Sequence, residues 1–131
     1  MTEKKNYRIM IVEDEPMLLR AIVTKFEKID IEVIACATGQ EGLDYLIKGK
    51  KLPDAIWLDY YLTDMNGLDF IHQLKTHKSS LDIPVIVVSN SANDDNKKNM
   101  LALGIKKYIL KADYRLEEIV DILKAVIKEN L

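Results

Sequence analysis

A chain of 131 residues, 48% hydrophobic and 31% charged, predicts one globular domain over residues 1–131 with a core of ordinary size. Its formal net charge of −2, from 19 basic and 21 acidic side chains spread along the sequence, argues against direct nucleic-acid binding and against an anionic membrane surface. One cysteine excludes an internal disulfide and cysteine-based zinc spacings, and no apolar stretch reaches the roughly 20 residues that a membrane-spanning helix needs.

The opening Met-Thr-Glu-Lys-Lys-Asn leads into a strand-length apolar run rather than a signal-peptide core, so a cytoplasmic protein is expected. Such runs recur at Tyr7 to Val12, Glu32 to Ala37, Asp54 to Leu58, Pro84 to Val88 and Lys107 to Leu110. Each is rich in Ile, Val or Leu with little polar alternation, the pattern of strands covered on both faces. Cys36 falls within the second run and reads as a small core hydrophobe. Between the runs the period is helical: Leu18, Leu19, Ile22, Val23 and Phe26; Leu43, Leu46 and Ile47; Leu68, Ile71 and Leu74; Met100, Leu101 and Leu103. The last helix carries Leu116, Ile119, Val120, Leu123, Val126 and Ile127, a stripe expected to pack on the sheet. Pro16 suits a first helical turn, Gly39 to Gly42 a turn into a helix, and Asn66-Gly67 a break before the third helix. Five strands alternating with five helices predict an α/β domain with a doubly wound parallel sheet.

Polar residues stand where the apolar runs stop: Glu13 and Asp14, then Asp59, Ser89 and Lys111. The carboxyl ends of parallel strands form the ligand crevice of such a sheet, so these residues can converge. Three carboxylates suit a hard divalent cation that retains water, while an ammonium and a hydroxyl suit phosphoryl oxygens. Asp59 ends Ala55-Ile56-Trp57-Leu58, where an unpaired carboxylate is costly; metal ligation or nucleophilic attack on phosphorus would account for it. Taken singly, the other positions have plainer readings. An acidic pair favours a helix start, Ser89 in Ser-Asn-Ser suits a turn or cap, and Lys111 suits a surface. His72 and His77 have no metal-ligand company and read as exposed structural residues.

At these residues the sequence resembles the receiver domain of two-component response regulators, the CheY-like family. The resemblance runs through Ile11-Val12-Glu13-Asp14-Glu15, Ala37 to Leu43, Leu58-Asp59, Asn66-Gly67, Pro84-Val85-Ile86 and Gly104 to Lys111, with matching separations between Asp59, Ser89 and Lys111. It implies a flavodoxin-like sheet of order 2-1-3-4-5 and a signalling phosphoacceptor rather than an enzyme. In that reading a sensor histidine kinase or histidine phosphotransfer protein donates a phosphoryl group to Asp59. Glu13, Asp14, Asp59 and the Tyr61 carbonyl organise Mg2+, Lys111 pairs with the phosphoryl group, and Ser89 moves toward it. Tyr108 switches rotamer, and the fourth helix, fifth strand and fifth helix present the changed surface to a downstream protein target or effector domain. Tyr61 and Ser91 occupy positions where the family varies its dephosphorylation rate.

Two departures from the family pattern concern the loops. Thr63 stands where Pro is frequent after the acceptor, which predicts a looser loop. Ala112 follows Lys111 where the family has Pro, commonly cis; a non-Pro cis bond costs about 2.5–4 kcal/mol, so a trans bond and a shifted Lys111 are expected. A receiver-like module that binds partners without phosphorylation therefore stays open as an alternative. An aspartate-based phosphohydrolase or a metal nuclease fits less well, because Tyr61 occupies the second place of the expected Asp-x-Asp, and no glycine-rich phosphate loop follows the first strand.

Overall fold

The apolar runs form a five-stranded parallel sheet in the order β2-β1-β3-β4-β5, with β1 at Arg8–Val12, β2 at Glu32–Cys36, β3 at Ala55–Asp59, β4 at Val85–Ser89 and β5 at Lys107–Leu110. The computed structural model describes residues 6–49, 51–77, 82–91 and 93–130. Helices α1 (Pro16–Lys28), α2 (Gly39–Lys48), α3 (Gly67–Leu74) and α4 (Asp94–Ala102) provide the crossovers, and α5 (Leu116–Glu129) follows β5.

Alternation along the strands divides the interior into two cores. Ile9, Ile11, Trp57, Ile86, Val88 and Ile109 face α1 and α5, where Ile22, Phe26, Ile119 and Leu123 cover them. Met10, Val12, Ile56, Leu58, Val85 and Val87 face the other way, under Leu43, Leu46, Phe70, Ile71 and Met100 of α2, α3 and α4. Burial on both faces explains why β1, β3 and β4 lack polar alternation. Not every predicted stripe residue is buried: Ile47 and Leu101 are exposed on the outer flanks of their helices. His72 is exposed and His77 is half-buried, a partial correction to the expectation for the second.

β5 has the predicted bounds, and the limits of β1 to β4 differ from the predicted ones by a residue, for local reasons at β3 and β4. The Asp54 carboxylate accepts the Arg8 backbone N–H at 2.8 Å and so precedes its strand, and Pro84, which has no N–H to donate, contributes only its carbonyl to Ile56. At the other end Asp59 and Ser89 are the last ladder residues of their strands, paired with Val88 and Leu110.

The β3–α3 loop is closed despite Thr63, contrary to the looser loop expected. Tyr61 bridges Asn66, Leu62 N–H donates to Met65 at 3.1 Å, and Gly67 N–H donates to Tyr60 at 2.6 Å. Beyond the turn, Asp64 accepts the Gly39 and Gln40 N–H groups at 3.0 and 2.9 Å, so it caps α2 and ties the loop to that helix. Met65 lies against Gly39 so closely that a Cβ there would meet its side chain at 2.6 Å. Among the described residues, no helix is long and apolar enough to cross a membrane.

Candidate functional site

Register brings the ends of β1 and β3 side by side, since Val12 pairs with Leu58, and places Glu13, Asp14 and Asp59 at one lip of the sheet. Each carboxylate offers an oxygen, and these oxygens lie within 4.8 Å of one another. Glu13 and Asp59 are buried, at 1% and 6% exposure, while Asp14 is half-buried. Lys111 enters from the end of β5: its Nζ stands 2.9 Å from Glu13 Oε1 and 3.7 Å from Asp59 Oδ2. The other Glu13 oxygen accepts the Glu15 N–H at 3.1 Å. Glu15 in turn caps α1 by accepting the Leu18 N–H.

Three carboxylates against one ammonium leave this crevice with excess negative charge. Its oxygen-only donor set fits a hard divalent cation of the magnesium type. Electrostatics point the same way. Burial, together with the neighbouring Glu13 carboxylate, pushes the Asp59 pKa up to about 7; Lys111 opposes the shift, and Asp14 and a side-chain hydrogen bond with Glu13 add to it. A dication held by these oxygens would favour the ionised carboxylate.

The cleft above the acids has a volume of about 240 Å³ and is bounded also by Leu18, Tyr61 and Asn90. Ser89 is not on its lining. It is fully buried at the end of β4, and its Oγ accepts the Ser91 N–H at 3.3 Å, with Ser91 itself exposed. The Lys111–Ala112 bond is trans, as expected, and Lys111 begins a short 3-10 turn, Lys111–Asp113. Its ammonium nevertheless reaches the acids.

Tyr61 is half-exposed at the cleft rim. It packs edge-on against Tyr60, with ring centroids 4.8 Å apart, and Tyr60 is 6.4 Å from Tyr108. Tyr108 is half-buried, and its buried hydroxyl has no hydrogen bond of acceptable geometry among the described residues. Burial raises its pKa, which the nearby Ser89 hydroxyl counteracts. Cys36 lies outside the site, and burial pushes its thiol up to about 12, which leaves it unreactive.

Sequence reasoning passed over Asn90, Asp64 and Tyr60. Asn90 was hidden in an ordinary turn signal, Asp64 acts on a helix 25 residues upstream, and Tyr60 owes its contact with Tyr108 to a strand distant in sequence.

A profile of the response regulator receiver domain matches residues 9–124. The chain is 31% identical over 122 residues to the phosphate regulon transcriptional regulatory protein PhoB of Pseudomonas aeruginosa, covering 93% of this chain and 52% of that protein. It is 32% identical over 117 residues to the probable C4-dicarboxylate response regulator DctR of Bacillus subtilis, covering 87% and 49%. The chain thus spans about half the length of these relatives. A CheY-like receiver domain protein from Methanospirillum hungatei superposes with a TM-score of 0.84 at 26% identity, covering 96% and 97% of the two chains. The receiver domain of the sensor histidine kinase PA1611 of Pseudomonas aeruginosa, with magnesium coordinated in its active-site cleft, has the same fold, with a TM-score of 0.81 at 22% identity and coverage of 95% and 99%.

Proposed function

The chain belongs to the response regulator receiver family, and from that membership we propose that it is a phosphoacceptor whose reacting group is the Asp59 carboxylate. The observation that carries this reading is the placement of Asp59 within a cluster of three carboxylates and beside the Lys111 ammonium, at the mouth of an open cleft.

A phosphohistidine on a sensor histidine kinase or histidine phosphotransfer protein is the donor. An Asp59 oxygen attacks phosphorus, the P–N bond breaks as the O–P bond forms, and the imidazole leaves and takes up a proton from solvent. Glu13, Asp14, Asp59 and the Tyr61 carbonyl would hold Mg2+, which would supply charge neutralisation for the incoming phosphoryl oxygens. Lys111 stays with the site by turning from Glu13 toward a phosphoryl oxygen. Ser89 exchanges the Ser91 N–H for that same group, and Tyr108 repacks into the space that Ser89 vacates. Hydrolysis returns the carboxylate and inorganic phosphate when water attacks the phosphorus. Tyr61, on the rim, and Ser91, beside Ser89, set how readily that water arrives, so Tyr61→Asn shortens the phosphorylated lifetime; an unchanged decay rate would sink that assignment.

The output is a change at α4, β5 and α5, read by a downstream protein or effector domain. This surface already has a cleft of about 240 Å³ bounded by Asn93, Lys97, Tyr108, Leu110 and Tyr114, large enough to seat side chains of a partner. Its setting is the cytoplasm, where phosphohistidine donors are made from ATP.

Small-molecule phosphodonors test the reading directly. Incubation with magnesium and acetyl phosphate should add one phosphoryl group by mass, and Asp59→Asn should add none. Trp57, the single tryptophan, lies two residues before Asp59, so both side chains leave the same face of β3. Its fluorescence should respond to beryllofluoride only with magnesium present. A protein that binds magnesium but takes no phosphoryl group would be a receiver-like binding module.

A further inference from the structure

The N-terminal ends of the helices are capped in two ways. In α3 the Asn66 side chain accepts the Asp69 N–H while the Asp69 carboxylate accepts the Asn66 N–H; in α5 the Glu118 carboxylate likewise returns to the Arg115 N–H. Helix α4 has the first half of this arrangement, with Asn93 accepting the Asn96 N–H at 3.0 Å. The side chain at the third helical position does not return to the cap. Asn96 directs its carboxamide across the cleft rim, where Nδ2 donates to the Tyr61 hydroxyl at 3.3 Å.

Several features give this contact weight beyond one surface hydrogen bond. Tyr61 has its backbone tied by the bridge to Asn66 and its ring packed against Tyr60, yet the residue is 51% exposed. An exposed side chain changes rotamer within nanoseconds unless something holds its far end. The ring stands at the cleft that contains Asp59, so its position sets how wide the opening to solvent is. On the other side, the first six residues of α4, Asp94 to Asn99, are all polar, and its one buried side chain is Met100, near its C-terminal end. The Asn96–Tyr61 bond therefore links the lightly packed N-terminal half of α4 to the rim of the site.

We propose that Asn96 is a positioning residue for the phosphoacceptor site, holding the Tyr61 ring over the cleft so that the placement of α4 controls the access of water to the phosphorylated aspartate. This rests on the phosphoacceptor reading above and adds to it a residue on another element. When α4 is in place the ring is pinned and hydrolysis is slow. When α4 shifts, or a partner draws it away, the ring is released and the phosphoryl group is lost sooner. The lifetime of the modification is thereby coupled to occupancy of the output surface.

Two measurements test this, and only one needs phosphorylation. In the unmodified protein, Tyr61→Phe should shift the Asn96 side-chain amide resonances, and Asn96→Ala should raise the mobility of the Tyr61 ring; resonances and ring order parameters that do not change overturn the latch. With acetyl phosphate removed after loading, Asn96→Ala and Tyr61→Phe should each speed decay about two- to ten-fold, the rate equivalent of one hydrogen bond. The double variant should decay no faster than either single one. Unchanged decay in Asn96→Ala, or additive effects, overturns the control of water access. Failure of the wild-type protein to label overturns the phosphoacceptor reading and that kinetic step with it, while the resonance measurement still decides whether Asn96 positions the ring.

Discussion

The Lys111 ammonium lies closer to Glu13 than to Asp59, 2.9 Å against 3.7 Å, so in this state it leans toward the carboxylate at the end of the first strand. It offsets repulsion within the acidic group and sits one short side-chain movement from anything attached to Asp59. Lys111→Met keeps most of the side-chain volume and removes the charge. Stability should fall by about 1–3 kcal/mol at pH 8, because a buried Glu13 is left without its cation. Urea unfolding at pH 8 and pH 5 measures it, and the deficit should be smaller at pH 5, where Asp59 is protonated.

Asp59 itself should make stability depend on pH. Its pKa stands at about 7 in the fold against an ordinary value of 3.8, so the folded protein binds the proton more tightly than the unfolded chain. The stabilisation from protonation is complete below about pH 4 and is lost as pH rises through 7. In chelator, Tm should decline between pH 5 and pH 8, and Asp59→Asn should remove that decline and gain about 1–2 kcal/mol at pH 8. Magnesium should restore the wild-type protein at pH 8 and do little for the Asn variant.

Asp64 caps a helix that it does not belong to. Asp64→Ala leaves the Gly39 and Gln40 N–H groups without this acceptor and should cost about 1 kcal/mol in urea unfolding. If the same carboxylate holds the loop after Asp59 in shape, magnesium affinity should also weaken; stability loss without any change in affinity would confine Asp64 to a capping role.

Tyr108→Phe should cost nothing in stability and can gain up to about 1 kcal/mol, since it removes a buried hydroxyl that has no well-formed hydrogen bond. Thermal unfolding checks this. A loss above about 1 kcal/mol would mean that Ser89 holds the hydroxyl after all.

The sheet was legible because β1, β3 and β4 are buried on both faces, and continuous apolar runs show that condition directly. The polar ends of those runs were legible for the same reason: a carboxylate after Ala55-Ile56-Trp57-Leu58 contrasts with everything before it. The β3–α3 loop was less so. Thr63 in place of Pro suggested slack, but what closes the loop is the bridge of Tyr61 to Asn66 and the cap that Asp64 places on α2, interactions between segments that carry no local signature. Nor could the engagement of Ser89 with Ser91, away from the cleft lining, be read from a Ser-Asn-Ser turn that suits either arrangement. Ile47 and Leu101 were assigned to core stripes by period alone, and the width of a buried stripe depends on how each helix is rolled against the sheet.

The division of the interior into two cores has a kinetic consequence. Asp59 and Trp57 leave β3 on the side of α1 and α5, whereas Tyr60 and Tyr108 pack on the side of α2, α3 and α4. Trp57 and a probe confined to Tyr60 or Tyr108, such as a fluorinated tyrosine at that position, thus watch opposite faces of one sheet. In a stopped-flow mixing experiment the first should follow arrival of a ligand at the carboxylate, and the second the repacking beyond the sheet, so the order of the two phases would show which event precedes the other.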